Sequence, residues 1–119
     1  MRNLNRFTKN KNYLCLLSNC KNKLRRAIVT NSTSEQIYSV CECILNVCNG
    51  NVKLSKEDFL KLKKYKKYFN KLINKRIGIK EKKKVLVQHG GFLQFLIPAI
   101  ISGISSIVSA VISKPTGEK

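Results

Sequence analysis

Acidic residues are scarce in this 119-residue chain, which has six Asp and Glu against 24 Lys and Arg. The formal net charge is therefore +18 at pH 7, and 22 of the basic residues fall within residues 1–88. Self-repulsion of this size is relieved when a polyanion binds and releases its counterions. The composition predicts that DNA, RNA or an anionic membrane surface is a partner. A lysine-rich surface that serves only solubility is the alternative.

Residue types that carry catalysis are scarce as well. The chain has one histidine, His89, few carboxylates, no glycine-rich phosphate loop and no nucleophile elbow. These residues supply no constellation for acid–base, nucleophilic or metal-assisted chemistry. The sequence therefore predicts a protein that is not an enzyme and that carries no cofactor.

The cysteines do not have the spacing of a structural zinc site, although there are five of them: Cys15, Cys20, Cys41, Cys43 and Cys48. Zinc sites generally use Cys-x2-Cys pairs on a turn, whereas Cys41 and Cys43 would point about 200° apart on a helix. The first ten residues lack the apolar core of a secretory signal. We therefore predict no metal site, and free thiols in a reducing compartment.

Helical periodicity is the clearest pattern in the rest of the chain, because apolar residues recur at helical spacing and strand-like alternation is absent. The sequence predicts an all-α fold: a small helical domain of three to four short helices, followed by a separate apolar C-terminal helix. The predicted parts are a basic flexible arm (residues 1–11), the basic helical domain (12–89), a hinge at Gly90 and Gly91, the apolar helix (92–113) and a polar tail (114–119).

Capping residues indicate where the predicted helices begin and end. The first helix covers about residues 12–29. Ser32, with Glu35 three residues later, is the predicted capping box of the next helix, and Gly50 supplies its left-handed stop. Ser55 is the predicted N-cap of a lysine-rich helix.

That lysine-rich helix is predicted to have one apolar and one cationic face. Its apolar residues fall within about 140° of a helical wheel (Phe59, Leu62, Tyr65, Phe69, Leu72 and Ile73). Tyr65 is predicted to lie in the core, whereas the more exposed Tyr68 is available for stacking on a base. A short basic helix over residues 80–87 follows.

Fourteen basic residues and three acids lie between residues 53 and 84. Ammonium groups suit phosphate contacts that need no base-specific geometry, and residue types that read base edges are sparse here. The sequence predicts sequence-independent nucleic-acid binding by Lys56, Lys61, Lys63, Lys64, Lys67, Lys71, Lys75, Arg76, Lys80, Lys82, Lys83 and Lys84. Adsorption to an anionic membrane and plain solvation are the alternatives.

Residues 92–113 form a run of 22 residues without charge, which is long enough to span a bilayer. Pro98 predicts a helix start or a kink after an extended lead-in. Three environments remain open for this run: a membrane, a seam with a second copy or a capsid protein, and the core of its own domain. Small residues recur along one side at the spacing of close helix packing, namely Ser102, Gly103, Ser105, Ser106, Ser109, Ala110 and Ser113.

Two stretches carry a resemblance to a known family: CECILNVCNGNVKLS (residues 41–55) and KKKVLVQHGGFL (residues 82–93). Over about residues 24–113 the chain resembles small lysine-rich core and late proteins of adintoviruses and Polinton-type elements, which are likened to adenovirus core protein X. The chain departs from that family at His89, where relatives carry a basic residue, and in its serine- and isoleucine-rich tail.

The resemblance implies a DNA-condensing protein of a virion or mobile element, located in the particle or in the host nucleus. It also implies a processing site, because such elements encode an adenain-like cysteine protease that favours Gly-Gly or Gly-x-Gly sequences. Gly90 and Gly91 before Phe92 are the candidate cleavage site, with a flexible hinge as the alternative. The implied partners are the DNA or RNA backbone and, through residues 92–113, a membrane, a capsid protein or a second copy.

Overall fold

The computed structural model describes residues 4–102, with side chains from Arg6 onward, and these residues contain α-helices and no β-strand. The all-α prediction is confirmed. The helices are α1 (Leu4–Lys9), α2 (Lys11–Asn19), α3 (Asn22–Thr30), α4 (Ser34–Cys48), α5 (Lys56–Lys63), α6 (Lys66–Ile73) and α7 (Ile79–His89). A 3-10 turn, Gly90–Phe92, joins α7 to an apolar helical segment over residues 93–102, called here the C-terminal segment.

Helix α4 is the centre of the fold and packs against α1, α2, α6 and α7. Because neighbours cover it on more than one side, Cys41 and Cys43 are both buried although they point to different faces. Burial disfavours the thiolate and raises the pKa of Cys41 to about 11 and that of Cys43 to about 12. Both cysteines act as small core residues, which is the role that the sequence left unexplained for Cys43.

The N-cap of α4 lies one residue later than the sequence predicts. Thr33 forms the capping box with Gln36: the Thr33 hydroxyl accepts from the Gln36 amide at 3.2 Å, and the Gln36 side chain accepts from the Thr33 amide at 2.9 Å. The predicted cap, Ser32, is buried, and its hydroxyl donates to the Ile28 carbonyl at 2.7 Å. Its predicted partner, Glu35, pairs with Arg6 at 3.5 Å instead.

The caps predicted at Ser55 and Gly50 are confirmed. The Ser55 hydroxyl accepts from the Asp58 amide at 3.1 Å and begins α5. Gly50 has φ 75° in the turn after α4, a conformation that L-residues adopt at a cost.

The predicted flexible arm is wrong for the described residues from Leu4 to Lys11. Helix α1 packs against α4, where Phe7 is buried in the core. Arg6 pairs with Glu35 at 3.5 Å and with Glu42 at 3.7 Å. A single buried aromatic and two ion pairs hold this segment, and neither feature produces a periodic pattern in so short a sequence.

The single lysine-rich helix predicted to begin after the Ser55 cap is divided into α5 and α6 at Lys64 and Tyr65. The Tyr65 amide bonds to the Leu62 carbonyl at 3.0 Å, which tightens the chain into a turn. The Tyr65 ring then lies 5.5 Å from the Phe92 ring and 6.4 Å from the Phe69 ring, centroid to centroid. Phe59, predicted to lie on the apolar face, is 54% exposed.

The described half of the apolar run lies in the core of its own domain. Its fully buried residues belong to the same cluster as those of α2, α4 and α6: Phe92, Leu93, Leu96, Ile97 and Ile100. The helix begins before Pro98, so the predicted extended lead-in is wrong. The small-residue stripe predicted beyond Ser102 lies outside the described residues.

Candidate nucleic-acid interface

Exposed lysines and one arginine of α5, α6, α7 and the turns that join these helices form the candidate interface, called here the cationic surface. Helices α6 and α7 pack against each other, and α6 also packs on α4, so the core carries the side chains of these two helices. Its members are Lys56, Lys63, Lys64, Lys66, Lys67, Lys71, Lys75, Arg76, Lys80 and Lys84.

The cationic surface has little internal charge compensation. Among the described residues, ion pairs join Arg6 to Glu35 and Glu42, and Lys61 to Glu57 at 3.7 Å. Of the five carboxylates in the described residues, Glu35 and Glu42 pair with Arg6. The other three lie on α5 and α7, where the ten members of the cationic surface outnumber them. The positive potential over the cationic surface is left for an external anion.

Three predicted site residues are not fully exposed, because each has a contact within the protein; two of them stay partly exposed. The Lys61 ammonium pairs with Glu57 and lies 5.1 Å from the centre of the Phe95 ring. The Lys83 ammonium donates to the Thr30 carbonyl at 3.3 Å. Both side chains keep part of their surface in solvent and remain at the edge of the interface.

Lys82, the third, does not belong to the interface, and its prediction as a phosphate contact is corrected. It is 6% exposed because it shares the buried face of α7 with Val85 and Leu86, which lie three and four residues further on. Its ammonium lies 5.9 Å from the centre of the Tyr38 ring. A run of three lysines suggests uniform exposure, whereas helical spacing turns one of them inward.

Lys66 is an exposed member of the cationic surface that the sequence reasoning missed. On a continuous helical wheel Lys66 falls inside the apolar arc, between Leu62 and Phe59. The break at Lys64 and Tyr65 changes the direction of the chain and exposes it. The charge run KKYKK (residues 63–67) was the signal that could have identified Lys66.

Tyr68, predicted to be available for base stacking, already stacks on another ring. Its ring centroid lies 4.0 Å from that of His89, with 18° between the planes. The Lys67 ammonium lies 5.4 Å from the centre of the Tyr68 ring. Tyr65 is half-buried against Phe69 and Phe92, in agreement with its predicted core position.

The cysteines form no cluster of metal ligands in the part of the chain that the structure describes, where no three His, Cys, Asp or Glu side chains converge. All five thiols are free; Cys48 is exposed, and Cys15 and Cys20 are half-buried.

No protein-family model, curated protein or solved structure matches the chain. Function must therefore be inferred from the charge, exposure and packing of this chain's own residues. The resemblance to adintovirus and Polinton-type core proteins stays a prediction.

Proposed function

We propose that this protein binds nucleic acid, with DNA as the proposed polymer, without sequence preference and condenses it in a virus-like or mobile-element particle. One observation carries the proposal: fourteen basic residues and three acids lie between residues 53 and 84, and most of the basic side chains are exposed. Of these fourteen, Lys61 alone makes an ion pair within the described residues. A duplex would supply the missing counter-charge.

The side-chain chemistry supports binding to the backbone rather than to base edges. The cationic surface contains nine lysines and one arginine, and a lysine ammonium is a mobile point charge without the planar fork that reads guanine. Such contacts position a protein on phosphates but carry no sequence information. Affinity that is uniform among sequences and steeply dependent on salt follows from this composition.

Processing at Gly90 and Gly91 belongs to the same proposal, since the resemblance implies a particle protease. Neither glycine has a positive φ, and a Cβ at either position would meet no atom closer than 3.7 Å. The fold therefore does not itself require glycine at these positions. Mass spectrometry of the protein from particles tests the processing, and an intact chain would contradict it.

Binding to unrelated duplexes of equal length is the first test of the proposed function. We expect fluorescence anisotropy to give similar affinities for all of them, with a loss of about 10³-fold or more between about 50 and 200 mM salt. Affinity that survives the higher salt, or that differs strongly between sequences, would contradict the proposal.

Matched charge variants show whether the cationic surface, rather than net charge alone, binds the duplex. The variant Lys63→Gln, Lys67→Gln and Lys71→Gln removes three exposed charges from α5 and α6. Its control removes three exposed charges elsewhere: Lys9→Gln, Lys11→Gln and Lys21→Gln. We expect the first variant to lower the salt slope by about 0.9 for each phosphate that it no longer neutralises. An equal change in the control would assign binding to net charge.

Membrane association through residues 92–113 is the second candidate function. Among the described residues, the helical stretch Ile79–Ser102, which comprises α7, the 3-10 turn and the C-terminal segment, is long and apolar enough to cross a membrane by length and composition. Half of its most apolar window is buried in the fold. Insertion of that window would require the C-terminal segment to leave the core. Flotation with anionic liposomes that persists in about 1 M salt would favour this candidate, because adsorption by lysines alone is screened.

A further inference from the structure

A polar cleft of about 280 Å³ lies between α3 and the junction of α7 with the 3-10 turn. No carboxylate is among the described residues that line it. Side chains with hydrogen-bond donors face it from both walls, and its lining includes Asn22, Arg25, Arg26, Gln88, His89 and Gly90. The cleft is concave and positively charged, unlike the open cationic surface on α5 to α7.

Arg25 is a buried cation without a carboxylate partner among the described residues, and it is 2% exposed. Its Nε donates to the Leu17 carbonyl at 2.9 Å, and one Nη donates to the Cys20 carbonyl at 2.8 Å. Both carbonyls lie at the C-terminal end of α2, where the helix dipole supplies partial negative charge. The other Nη donates to the Asn22 side chain. The full positive charge of the Arg25 guanidinium is therefore balanced by partial charges alone. Burying a charge in this way is costly.

Donors remain at this site for an external acceptor. A guanidinium has five N–H groups, and Arg25 uses three of them within the described part of the chain. Arg26, the next residue, is exposed, and its guanidinium makes no hydrogen bond or ion pair with a described residue. Two neighbouring arginines therefore line one cleft with unused donors.

We propose that this cleft binds a single phosphate group, either free phosphate or a phosphate monoester. Near neutral pH such a group carries close to two negative charges, which match two guanidinium groups, whereas a backbone diester carries one. Its oxygens suit the planar forks of Arg25 and Arg26, and Asn22 and Gln88 supply neutral donors. The site uses α3 and the end of α7, so it is independent of the proposed function of the cationic surface.

Thermal unfolding of the full chain tests the site, with inorganic phosphate, adenosine 5′-monophosphate or adenosine added at constant ionic strength. We expect a saturable rise of the unfolding midpoint with the first two and none with adenosine. Equal affinity for both would identify free phosphate as sufficient, and tighter binding of the monophosphate would identify a nucleotide phosphate. No saturable rise with either would overturn the proposal.

Two variants with the same loss of charge locate the site. Arg26→Gln removes an exposed arginine of the cleft, and Lys64→Gln removes an exposed lysine of the cationic surface. We expect Arg26→Gln to weaken phosphate binding roughly tenfold, since it removes charge-assisted hydrogen bonds. Lys64→Gln should leave phosphate binding unchanged, and an equal loss in both variants would overturn the proposal.

Side-chain NMR supplies a readout that does not require substitution of Arg25, which also caps α2. Phosphate should shift the Nε–H resonance of Arg25 and the side-chain amide of Gln88, whereas shifts confined to lysines of α5 and α6 would overturn the site. Duplex binding by Arg26→Gln separates the two proposals. Retained duplex binding with weakened phosphate binding identifies the cleft, and failure of duplex binding in the wild type leaves the phosphate result unaffected.

Discussion

Buried basic side chains are accommodated in two different ways in this protein. Arg25 donates to carbonyl oxygens at the end of α2, whereas Lys82 places its ammonium near the Tyr38 ring. A guanidinium can bond several acceptors at once, while an ammonium on a flexible stem can follow an apolar wall towards solvent. The sequence shows only that both residues are basic. The packing around them makes Arg25 a cap of α2 and Lys82 a core contact of α7.

The position of Lys82 leads to a specific prediction about duplex binding. Lys82→Met replaces a buried lysine, and Lys84→Met replaces an exposed one two residues further along α7. We expect Lys84→Met to lower the salt slope of duplex binding by about 1 and Lys82→Met to leave it unchanged. Anisotropy titrations at several salt concentrations measure both slopes.

Lys82→Met should also not lower the free energy of unfolding, because it removes a desolvated charge. Equal losses of duplex binding in the Lys82 and Lys84 variants would mean that Lys82 reaches the duplex, contrary to its burial.

Helix boundaries depend on competition between alternative side-chain contacts, which the sequence alone does not show. Ser32 and Thr33 are both good caps, and Thr33 is chosen because the Ser32 hydroxyl is already bonded to Ile28 and lies 2.6 Å from the Tyr13 hydroxyl. The apolar pattern predicts α4 well, and Ser55 predicts the cap of α5, since both signals are local. The break after Lys63 is set by Tyr65 reaching Phe92, which is distant in the sequence.

The turn after α4 gives a prediction at the one described glycine with a positive φ. Gly50→Ala should lower the free energy of unfolding by about 1 kcal/mol, because an L-residue is strained at φ 75°. Gly91→Ala is the matched change at a position with ordinary φ and open space around a Cβ. We expect it to raise the free energy of unfolding by about 0.4–1 kcal/mol, because alanine restricts the unfolded chain.

Urea denaturation of both variants, monitored by circular dichroism, gives the two differences. The expected signs are opposite, so a common effect of replacing glycine is separated from the effect of the turn. A stabilised Gly50→Ala protein would mean that the left-handed turn is absent in solution.

The apolar run illustrates what hydropathy alone can and cannot predict for this fold. A run of this length satisfies the requirement for spanning a bilayer, and a fully buried core helix satisfies it equally. The structure places its described half in the same buried cluster as residues of α2, α4 and α6, and five of its residues are fully buried. Which environment surrounds an apolar helix depends on partners elsewhere in the chain, and a local composition does not encode them.

Truncation provides the corresponding test. A chain ending at Gly91 lacks the five fully buried residues of the apolar run, namely Phe92, Leu93, Leu96, Ile97 and Ile100. Each such side chain contributes about 1.5–3 kcal/mol on burial, and together they rival the whole stability of a small domain. We therefore expect this chain to lose cooperative thermal unfolding, as measured by circular dichroism.

A chain ending at Ser102 is the control, because it keeps every residue that the structure describes. We expect it to unfold cooperatively. A cooperative transition in the chain ending at Gly91 would show that the basic helices have an independent core.

Because the basic helices and the C-terminal segment share a single core, proteolysis between them would make the fold dependent on association of the two fragments. A cut after Gly91 would convert contacts within one chain into association between two fragments, and the fraction associated would depend on their concentration. At high concentration the fragments would stay together as a folded complex. On dilution the apolar fragment would dissociate, and the remaining polypeptide would become an unfolded polycation. Cleavage alone would thus leave the fold intact, and dilution of the cleaved protein would unfold its basic part.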